Sequence, residues 1–166
     1  MKTTLSALIA LAALGMGSAA LAQTTTAPAA TETTAAAAPD PEAVARGAEA
    51  FSQCQACHVV RNDAGEVLAG RNGRTGPNLY GVIGRVAGSY PDFRYGDGIV
   101  AAGQGGLVWD EASFVAYVQN PTEYLREVTG NNRARGNMSF RVRDADQAHD
   151  LYVFLSTFST APAAAD

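Results

Sequence analysis

The chain has 166 residues, of which 47% are hydrophobic and 17% are charged, and its formal net charge is −4 at pH 7. This length is enough for one small domain with a modest core. The acidic balance argues against nucleic acid as a partner, because binding to phosphates needs clustered positive charge.

The first 22 residues have the pattern of a secretory signal peptide. Lys2 gives a positive start, residues 5–14 are apolar, and an Ala-x-Ala sequence ends at Ala22, so we expect export and cleavage there. Without residues 1–22 the chain has 11 arginines, no lysine and 16 acidic residues, which gives 11 − 16 = −5. The alternative is an uncleaved anchor, because residues 5–21 carry no charge and approach the ~17 residues that a membrane span needs.

Residues 23–41 are rich in Ala, Thr and Pro and contain no large apolar side chain. We expect a disordered linker, since this composition cannot bury a core. Residues 160–166 are expected to form a disordered tail. The folded domain is therefore predicted to span residues 42–159.

The first predicted helix starts at Pro41 and runs to about Gln55. Gly47 interrupts it, and a glycine inside a helix costs ~1 kcal/mol. Either another element crosses closely at Gly47, or the position is weak and tolerated. Phe51 lies four residues later and thus on the same helix face.

The sequence Cys54-Gln55-Ala56-Cys57-His58 follows this helix and has the spacing of a c-type haem attachment site. Each thiol can add across one porphyrin vinyl group to form a thioether, and the adjoining imidazole can supply a nitrogen ligand to the iron. The alternatives are a redox or disulfide pair of cysteines and half of a zinc site. The sequence has no second pair of soft ligands that would complete a tetrahedral zinc site.

Residues 62–76 are rich in Gly, Asn, Asp and Arg, and they predict an irregular loop with turns at 63–65 and 72–73. Between residues 75 and 85 small residues alternate with apolar ones, as expected of backbone that wraps closely around a flat hydrophobic object. No stretch alternates with period two over a useful length.

Two more helices are predicted in the second half of the chain. Asp110 is a good N-cap for a helix that ends at Pro121 and has one apolar face, formed by Phe114, Tyr117 and Val118. Asp144 and Gln147 resemble a capping box, and an apolar stripe follows it at Leu151, Phe154, Leu155 and Phe158. The chain is therefore predicted to be all-α, small and loop-rich, with a haem supplying much of its core.

The second axial ligand follows by elimination. Once residues 1–22 are removed, the remaining methionine is Met138, and the histidine besides His58 is His149. Met138 lies in a polar, loop-like stretch where core gap-filling is hard to justify, and His149 reads as a solvated helix residue. We therefore predict that His58 and Met138 ligate the iron, since a His/Met pair raises the reduction potential and suits electron transfer.

From about residue 42 to residue 158 the sequence resembles the class I cytochromes c of the small soluble bacterial type. The resemblance rests on Gly47 with Phe51, on the CQACH motif and on residues 75–79. It implies a cytochrome c fold, wrapped around one haem c that is attached through Cys54 and Cys57.

The resemblance also implies roles for single residues. Gly47 would pack against the C-terminal helix around Leu151 and Phe154, and the carbonyl of Pro77 would accept a hydrogen bond from His58. The remaining implied roles are those of propionate donors for Arg85, Tyr95 and Trp109, of a buried tyrosine beside the methionine sulfur for Tyr117, and of an aromatic cover on the haem edge for Phe140.

The family usually carries lysines around the exposed haem edge, and this chain has none beyond Lys2. Arginines near the two ligand segments are candidates to replace them, because arginine keeps the positive charge. The alternative is a scatter of solvated arginines. The candidates are Arg61, Arg71, Arg74, Arg133, Arg135, Arg141 and Arg143.

We therefore expect a monomeric, periplasmic, mono-haem electron carrier rather than an enzyme, with no nucleic-acid partner. Its expected donor is a quinol-oxidising complex or a dehydrogenase, and its expected acceptor is a terminal oxidase or a photosynthetic reaction centre. The alternatives are a carrier tethered to the outer face of the inner membrane by an uncleaved N-terminal segment, and a haem peroxidase or gas sensor. A peroxidase or sensor needs an open or labile sixth position on the iron.

Overall fold

The computed structural model describes residues 38–159. Within that range it contains five helices and one two-stranded sheet, in the order α1 (Pro41–Phe51), β1 (Val59–Arg61), β2 (Val67–Gly70), α2 (Asp97–Gln104), α3 (Glu111–Gln119), α4 (Pro121–Thr129) and α5 (Ala145–Ser156). The predicted signal peptide, most of the predicted linker and the predicted tail lie outside the described residues. None of the helices in residues 38–159 has the length and apolar character needed to span a membrane.

Helix α1 begins as predicted but ends earlier. Pro41 occupies the first turn, and the side chain of Asp40 accepts a hydrogen bond from the amide of Glu42 at 3.1 Å. The prediction of a helix to Gln55 is wrong, because the helix ends at Phe51 and the chain continues in tighter turns. The amide of Cys54 donates to the carbonyl of Phe51, three residues back, at 2.8 Å.

Helices α1 and α5 cross closely at Gly47. A Cβ atom on Gly47 would lie 2.6 Å from the Cβ of Phe154 and closer still to the carbonyl oxygen of Asp150. Only glycine allows this approach, which confirms the close crossing rather than the tolerated weak position. The rings of Phe51 and Phe154 meet beside it, with centroids 5.5 Å apart.

Residues 62–76 were predicted to be an irregular loop, and this is wrong for part of the stretch. Strand β2 pairs antiparallel with β1, with Val59 opposite Gly70 and a register irregularity between Val60 and Arg61. The predicted turn at 63–65 joins the strands and contains Gly65 at a φ of +83°. The pairing is too short to leave an alternating sequence pattern.

Helices α2 and α4 were not predicted. Helix α2 contains Gly98, a poor helix former, but a Cβ there would lie 2.8 Å from the carbonyl oxygen of Arg135. Pro121 ends α3 as predicted and is also the first residue of α4, where its missing N–H leaves no hydrogen bond unmade.

The caps of α3 and α5 are confirmed. The carboxylate of Asp110 accepts from the amide of Ser113 at 2.8 Å, and the hydroxyl of Ser113 accepts from the amide of Asp110 at 2.9 Å. At α5, Asp144 accepts from the amide of Gln147 at 2.8 Å, but within the described residues the side chain of Gln147 makes no return bond to Asp144, so the N-cap is confirmed and the full capping box is not. Both helices then place their apolar faces in the core, where Phe114, Val118, Leu151, Phe154 and Leu155 are buried.

A second, smaller apolar cluster adjoins the main core, and Ile99, Leu107 and Tyr117 pack against both. It consists of Ala102 of α2, Leu125 of α4 and Ala134, all buried. Ala134 lies four residues before Met138, so this cluster anchors the chain segment that leads to the predicted methionine ligand.

Candidate haem-binding site

All ten residues that were predicted for the site line one cavity. They are Cys54, Cys57, His58, Pro77, Arg85, Tyr95, Trp109, Tyr117, Met138 and Phe140. Apolar side chains such as Leu79, Ile99 and Leu155 complete the walls. The cavity therefore collects residues from the stretch between α1 and α3, including α2, from the segment before α5, and from α3 and α5 themselves.

The two cysteines lie at the end of the turns that follow α1. Cys54 is half-buried, Cys57 is exposed, and neither forms a disulfide. Burial, and to a lesser extent the neighbouring Cys57, raises the pKa of Cys54 to about 11. Cys54 is therefore a neutral thiol at physiological pH. Because neither cysteine is in a disulfide, both sulfurs are available for thioether bonds.

His58 is oriented by the loop that follows the hairpin. Its Nδ1 lies 2.9 Å from the carbonyl oxygen of Pro77. A carbonyl can only accept, so Nδ1 carries the proton and donates a hydrogen bond to it. Burial lowers the pKa of His58, and the hydrogen bond to Pro77 only partly opposes this shift. The result is a neutral imidazole with a free lone pair on Nε2, the form that ligates a metal.

Gly76 makes room for that imidazole. A Cβ atom on Gly76 would lie 2.5 Å from Nδ1 and 2.7 Å from Nε2 of His58. The amide of Gly76 also donates to the carbonyl of Cys57 at 2.8 Å. The backbone of residue 76 thus packs directly on the ring and ties it to the attachment motif.

Met138 is half-buried and packs against the main core. The segment before it is held at two places. The amide of Gly136 donates to the hydroxyl of Thr122 at 3.2 Å, and the side-chain amide of Asn137 covers Gly96, where a Cβ would lie 2.9 Å from that amide. Contacts with the starts of α2 and α4 therefore place this methionine.

One end of the cavity is polar. The guanidinium of Arg85 donates through Nη2 to the carbonyl of Asn78 at 3.2 Å. Burial lowers the pKa of Arg85 and raises that of Tyr95, and in both cases the attraction between the two groups opposes the shift. Trp109, which is only 6% exposed, lines the same cavity.

Tyr117 and Phe140 differ in exposure. Burial raises the pKa of Tyr117 to about 12, so its hydroxyl stays protonated inside the cavity. Its ring lies 4.9 Å from that of Trp109, measured between centroids. Phe140 is 41% exposed and forms part of the rim.

Two residues that support the site were missed. The side chain of Asn78 accepts from the amides of Arg61 and Tyr80, at 2.9 and 3.1 Å, and donates to the carbonyl of Arg61 at 2.7 Å and to the hydroxyl of Tyr90 at 3.1 Å. An asparagine in a loop commonly bridges backbone groups, which is a weak sequence signal for Asn78. The sequence contains no comparable signal for Tyr90.

His149 does not line the cavity. Its Nδ1 lies 2.8 Å from a carboxylate oxygen of Glu111, at an exposed position between α5 and α3. The interpretation of His149 as a surface helix residue is confirmed, although it has a partner there.

Six of the seven candidate arginines form what we call the exposed arginine group. Within residues 38–159 these six make no ion pair with a carboxylate, and Arg135 lies on the cavity itself. Arg61 is different, because its guanidinium donates to the carbonyl of Gly65 and to Asn72. The group consists of Arg71, Arg74, Arg133, Arg135, Arg141 and Arg143, all exposed.

The residues around the cavity fit a haem. Its walls are apolar, as a porphyrin ring requires, and one end offers a guanidinium and a phenol, which suit the carboxylates of the propionates. Two free thiols stand three positions apart beside a neutral imidazole, and a thioether, Met138, lines the same space.

Comparison with protein-family models gives no match, but comparison with individual proteins does. The cytochrome c2 of Cereibacter sphaeroides is 51% identical over 123 residues, which cover 74% of this chain and 97% of that protein. A cytochrome c-550 of Paracoccus pantotrophus is 43% identical over 114 residues, covering 68% of this chain and 83% of the relative.

Solved structures agree with these relatives. The X-ray structure of cytochrome c2 from Rhodobacter sphaeroides superposes with a TM-score of 0.69 at 51% identity, covering 74% of this chain and 98% of that one. Ferric cytochrome c-550 from Paracoccus versutus gives a TM-score of 0.66 at 39% identity, covering 70% and 98%. The chain therefore belongs to the bacterial cytochrome c2 and c-550 family of class I cytochromes c, mono-haem electron-transfer proteins that bind one haem c covalently through a cysteine pair.

Proposed function

We propose that this electron carrier works in the periplasm, between a quinol-oxidising complex or a dehydrogenase as donor and a terminal oxidase or a photosynthetic reaction centre as acceptor. The predicted signal peptide supports export, and the haem-attachment motif suits a protein that matures outside the cytoplasm. The alternative of a tethered carrier differs only in whether residues 1–22 are retained. The intact mass of the mature protein, measured after cell fractionation, distinguishes the two forms.

The observation that carries the proposal at the site is the convergence of Cys54, Cys57, His58 and Met138 on one apolar cavity. We assign the cysteines to the two thioether bonds, and His58 and Met138 would be the two protein ligands of the iron. When bound, the haem supplies one-electron redox chemistry at its iron. Ligation by both His58 and Met138 would raise the reduction potential and would leave no open position for a substrate.

The other residues of the cavity receive supporting roles in this proposal. Pro77 orients His58 through its carbonyl. Arg85, Tyr95 and Trp109 serve a haem propionate at the polar end, where a half-buried cation and protonated donors favour a carboxylate. Tyr117 keeps a protonated hydroxyl in the cavity, and Phe140 covers the haem edge from the rim.

Docking to the redox complexes is proposed to use the rim of the cavity, where Phe140 is exposed and Arg135 is a lining residue, and the other members of the exposed arginine group are proposed to add positive charge around it. Arginines that make no ion pair within residues 38–159 would favour an acidic surface on the partner and a fast, weak encounter. We expect the carrier to act as a monomer, which leaves this rim open to each partner in turn.

The experiment that tests the site is the optical spectrum of the purified ferric and ferrous protein at neutral pH, beside a Met138→Ala variant. The wild type should show the weak methionine-to-iron charge-transfer band and resist carbon monoxide. The variant should lose the band and bind carbon monoxide in the ferrous form. A wild type that lacks the band and binds carbon monoxide readily would exclude Met138 as the ligand.

A matched control is needed because any substitution on this segment disturbs it. Ser139→Ala changes the next residue, whose side chain makes no hydrogen bond within the described residues, and should keep the band. If both variants lose it equally, the loss reports loosening of the segment rather than removal of a ligand.

A further inference from the structure

Tyr90 lies outside the cavity, but it contacts two groups that matter to the cavity. The centroid of its ring is 5.0 Å from the Cζ atom of Arg85, within the range of a cation–π interaction. Its hydroxyl accepts a hydrogen bond from the side-chain amide of Asn78 at 3.1 Å. Tyr90 is thus connected to the polar end of the pocket and to the loop that holds the ligand histidine.

The three residues form a closed triangle of contacts. Arg85 donates to the backbone carbonyl of Asn78 at 3.2 Å, the side chain of Asn78 donates to Tyr90, and the ring of Tyr90 faces Arg85. Asn78 directly follows Pro77, whose carbonyl lies 2.9 Å from Nδ1 of His58. A displacement of Tyr90 therefore affects Arg85 directly. It affects the hydrogen bond between Pro77 and His58 only indirectly, through Asn78.

Arg85 needs such support. Within residues 38–159 its guanidinium has no carboxylate partner, and the one hydrogen bond that the guanidinium makes is to the carbonyl of Asn78. Immobilising an arginine side chain costs rotamer entropy, and this single hydrogen bond uses only one of the five N–H donors of the guanidinium. The Tyr90 ring supplies a second contact, on the face of the guanidinium.

The backbone fixes Tyr90 itself. Pro91 follows it and restricts its backbone to extended conformations. Asp92 has a φ of +58° and is the one residue other than glycine with a positive φ in the described part of the chain. Holding an aspartate in this conformation costs free energy, and here it reverses the chain between Tyr90 and Tyr95.

We propose that Tyr90 is a positioning residue that holds the guanidinium of Arg85 at the polar end of the haem pocket and thereby raises the reduction potential. The inference rests on the proposed role of Arg85 beside a haem propionate. A fixed cation favours the reduced haem, which carries one positive charge fewer than the oxidised form. Because Arg85 is half-buried, water screens this interaction less than it would at the surface.

The test is the reduction potential of the holoprotein, measured by equilibration with a one-electron mediator, for Tyr90→Leu and Tyr90→Phe. Tyr90→Leu removes both the ring and the hydroxyl, and should shift the equilibrium about threefold toward the oxidised protein. That shift corresponds to about 28 mV at 59 mV per tenfold change for one electron. Tyr90→Phe keeps the ring over Arg85 and should shift the equilibrium less than twofold.

Tyr152→Leu is the matched control. Tyr152 is also a half-buried tyrosine, but it packs on Phe114, with ring centroids 6.2 Å apart, and has no contact with Arg85. Its removal should lower stability and leave the potential unchanged. If Tyr152→Leu and Tyr90→Leu lower the potential equally, the effect is general loosening and the inference is overturned.

An Arg85→Gln background separates this inference from the proposed function. Arg85→Gln alone should lower the potential, and adding Tyr90→Leu should then change it no further. An unchanged threefold effect of Tyr90→Leu without Arg85 would overturn the positioning role. If Arg85→Gln itself leaves the potential unaltered, the proposed role of Arg85 fails, and the role of Tyr90 fails with it for that separate reason.

Discussion

The Nδ1 atom of His58 lies 2.9 Å from the carbonyl oxygen of Pro77, and this contact determines what the imidazole can do. It places the proton on Nδ1, fixes the plane of the ring and leaves the lone pair of Nε2 free, as the predicted role of His58 as an iron ligand requires. The two residues are 19 positions apart in the sequence. The orientation of this predicted ligand therefore depends on the packing of the 75–79 loop against the attachment motif, as well as on the motif itself.

Gly76→Ala should disrupt this packing. The new Cβ would lie 2.5 Å from Nδ1 of His58, so either the ring or the 75–79 loop must move. We expect a lower yield of holoprotein and, in the fraction that matures, an altered spectrum of the ferric haem. The measurement is the ratio of haem absorbance to protein concentration after purification, with the spectrum of the remaining holoprotein.

Gly105→Ala is the control for this prediction. Gly105 has a φ of −77°, and a Cβ there would lie no closer than 3.3 Å to the carbonyls of α2. That change should leave the haem content near the wild-type value. Equal losses in the two variants would mean that glycine loss in general, and not contact with His58, lowers the yield.

The Arg46 and Asp150 side chains predict how the protein responds to acid. The guanidinium of Arg46 donates two hydrogen bonds to the carboxylate of Asp150, at 2.8 and 2.9 Å, and so joins α1 to α5 beside Gly47. These bonds hold the pKa of Asp150 below its usual value. The unfolded carboxyl therefore binds protons at a higher pH than the folded one, and the stability from this pair is lost as the pH falls below about 4.

Asp150→Asn should lower Tm at pH 7, and the difference from the wild type should narrow as the pH is reduced from 5 to 3. Thermal unfolding followed by circular dichroism at a series of pH values measures it. Glu49→Gln on α1 removes an exposed carboxylate that has no ion pair in the described residues, and its Tm difference should stay small throughout. A constant difference for Asp150→Asn would contradict the ion-pair account.

Truncating Leu125 should loosen the segment that carries Met138 before the rest of the domain unfolds. Leu125 is fully buried in the small cluster with Ala102 and Ala134. Leu125→Ala should destabilise the protein by about 2–5 kcal/mol, because a cavity replaces the side chain. Since the cluster anchors the segment before Met138, the methionine-to-iron band should disappear on heating before the helical circular dichroism does.

Phe154→Ala provides the comparison. Phe154 is buried in the main core between Phe51 and Phe158, and its truncation costs a similar amount, about 3–5 kcal/mol. Here the band and the circular dichroism should be lost together. If the band and the circular dichroism are lost in the same order in both variants, the small cluster does not act locally on Met138.

Features that depend on neighbouring residues could be predicted from the sequence. The caps at Asp110 and Asp144 use side chains within three residues of the groups they bond. The haem motif is equally local. Helix α2 was missed because Gly98 and Gly103 lower its intrinsic helix propensity, while their contacts with Arg135 and Ala87, distant in sequence, require them.

The same distinction applies to the site. The ten predicted residues were identified through a motif, through elimination and through resemblance to a family, and they share one cavity; their roles toward the haem stay predictions. Tyr90 could not be found in this way. Its contact with Arg85 spans an irregular loop, which has neither helical nor strand periodicity, and no motif contains both residues.

The exposed arginine group leads to a prediction about the sign of a salt effect. The whole chain carries a formal charge of −4, so net charge alone predicts that the anion ferricyanide is repelled and that salt accelerates its reaction with the ferrous protein. The six exposed arginines predict the reverse, because a screening length of about 10 Å at 0.1 M salt makes local charge decisive. We expect the second-order rate constant, measured by stopped flow, to fall as ionic strength rises.

Variants and a second oxidant make this prediction specific. Replacing Arg133 and Arg135 with Gln should flatten the salt dependence with ferricyanide, whereas Arg46→Gln, whose side chain pairs with Asp150, should leave it nearly unchanged. With a cationic cobalt(III) tris-phenanthroline oxidant the arginines repel, so the rate should rise with salt. A rate with ferricyanide that rises with salt would show that net charge dominates and that these arginines are scattered solvated residues, in which case an acidic docking partner loses its support.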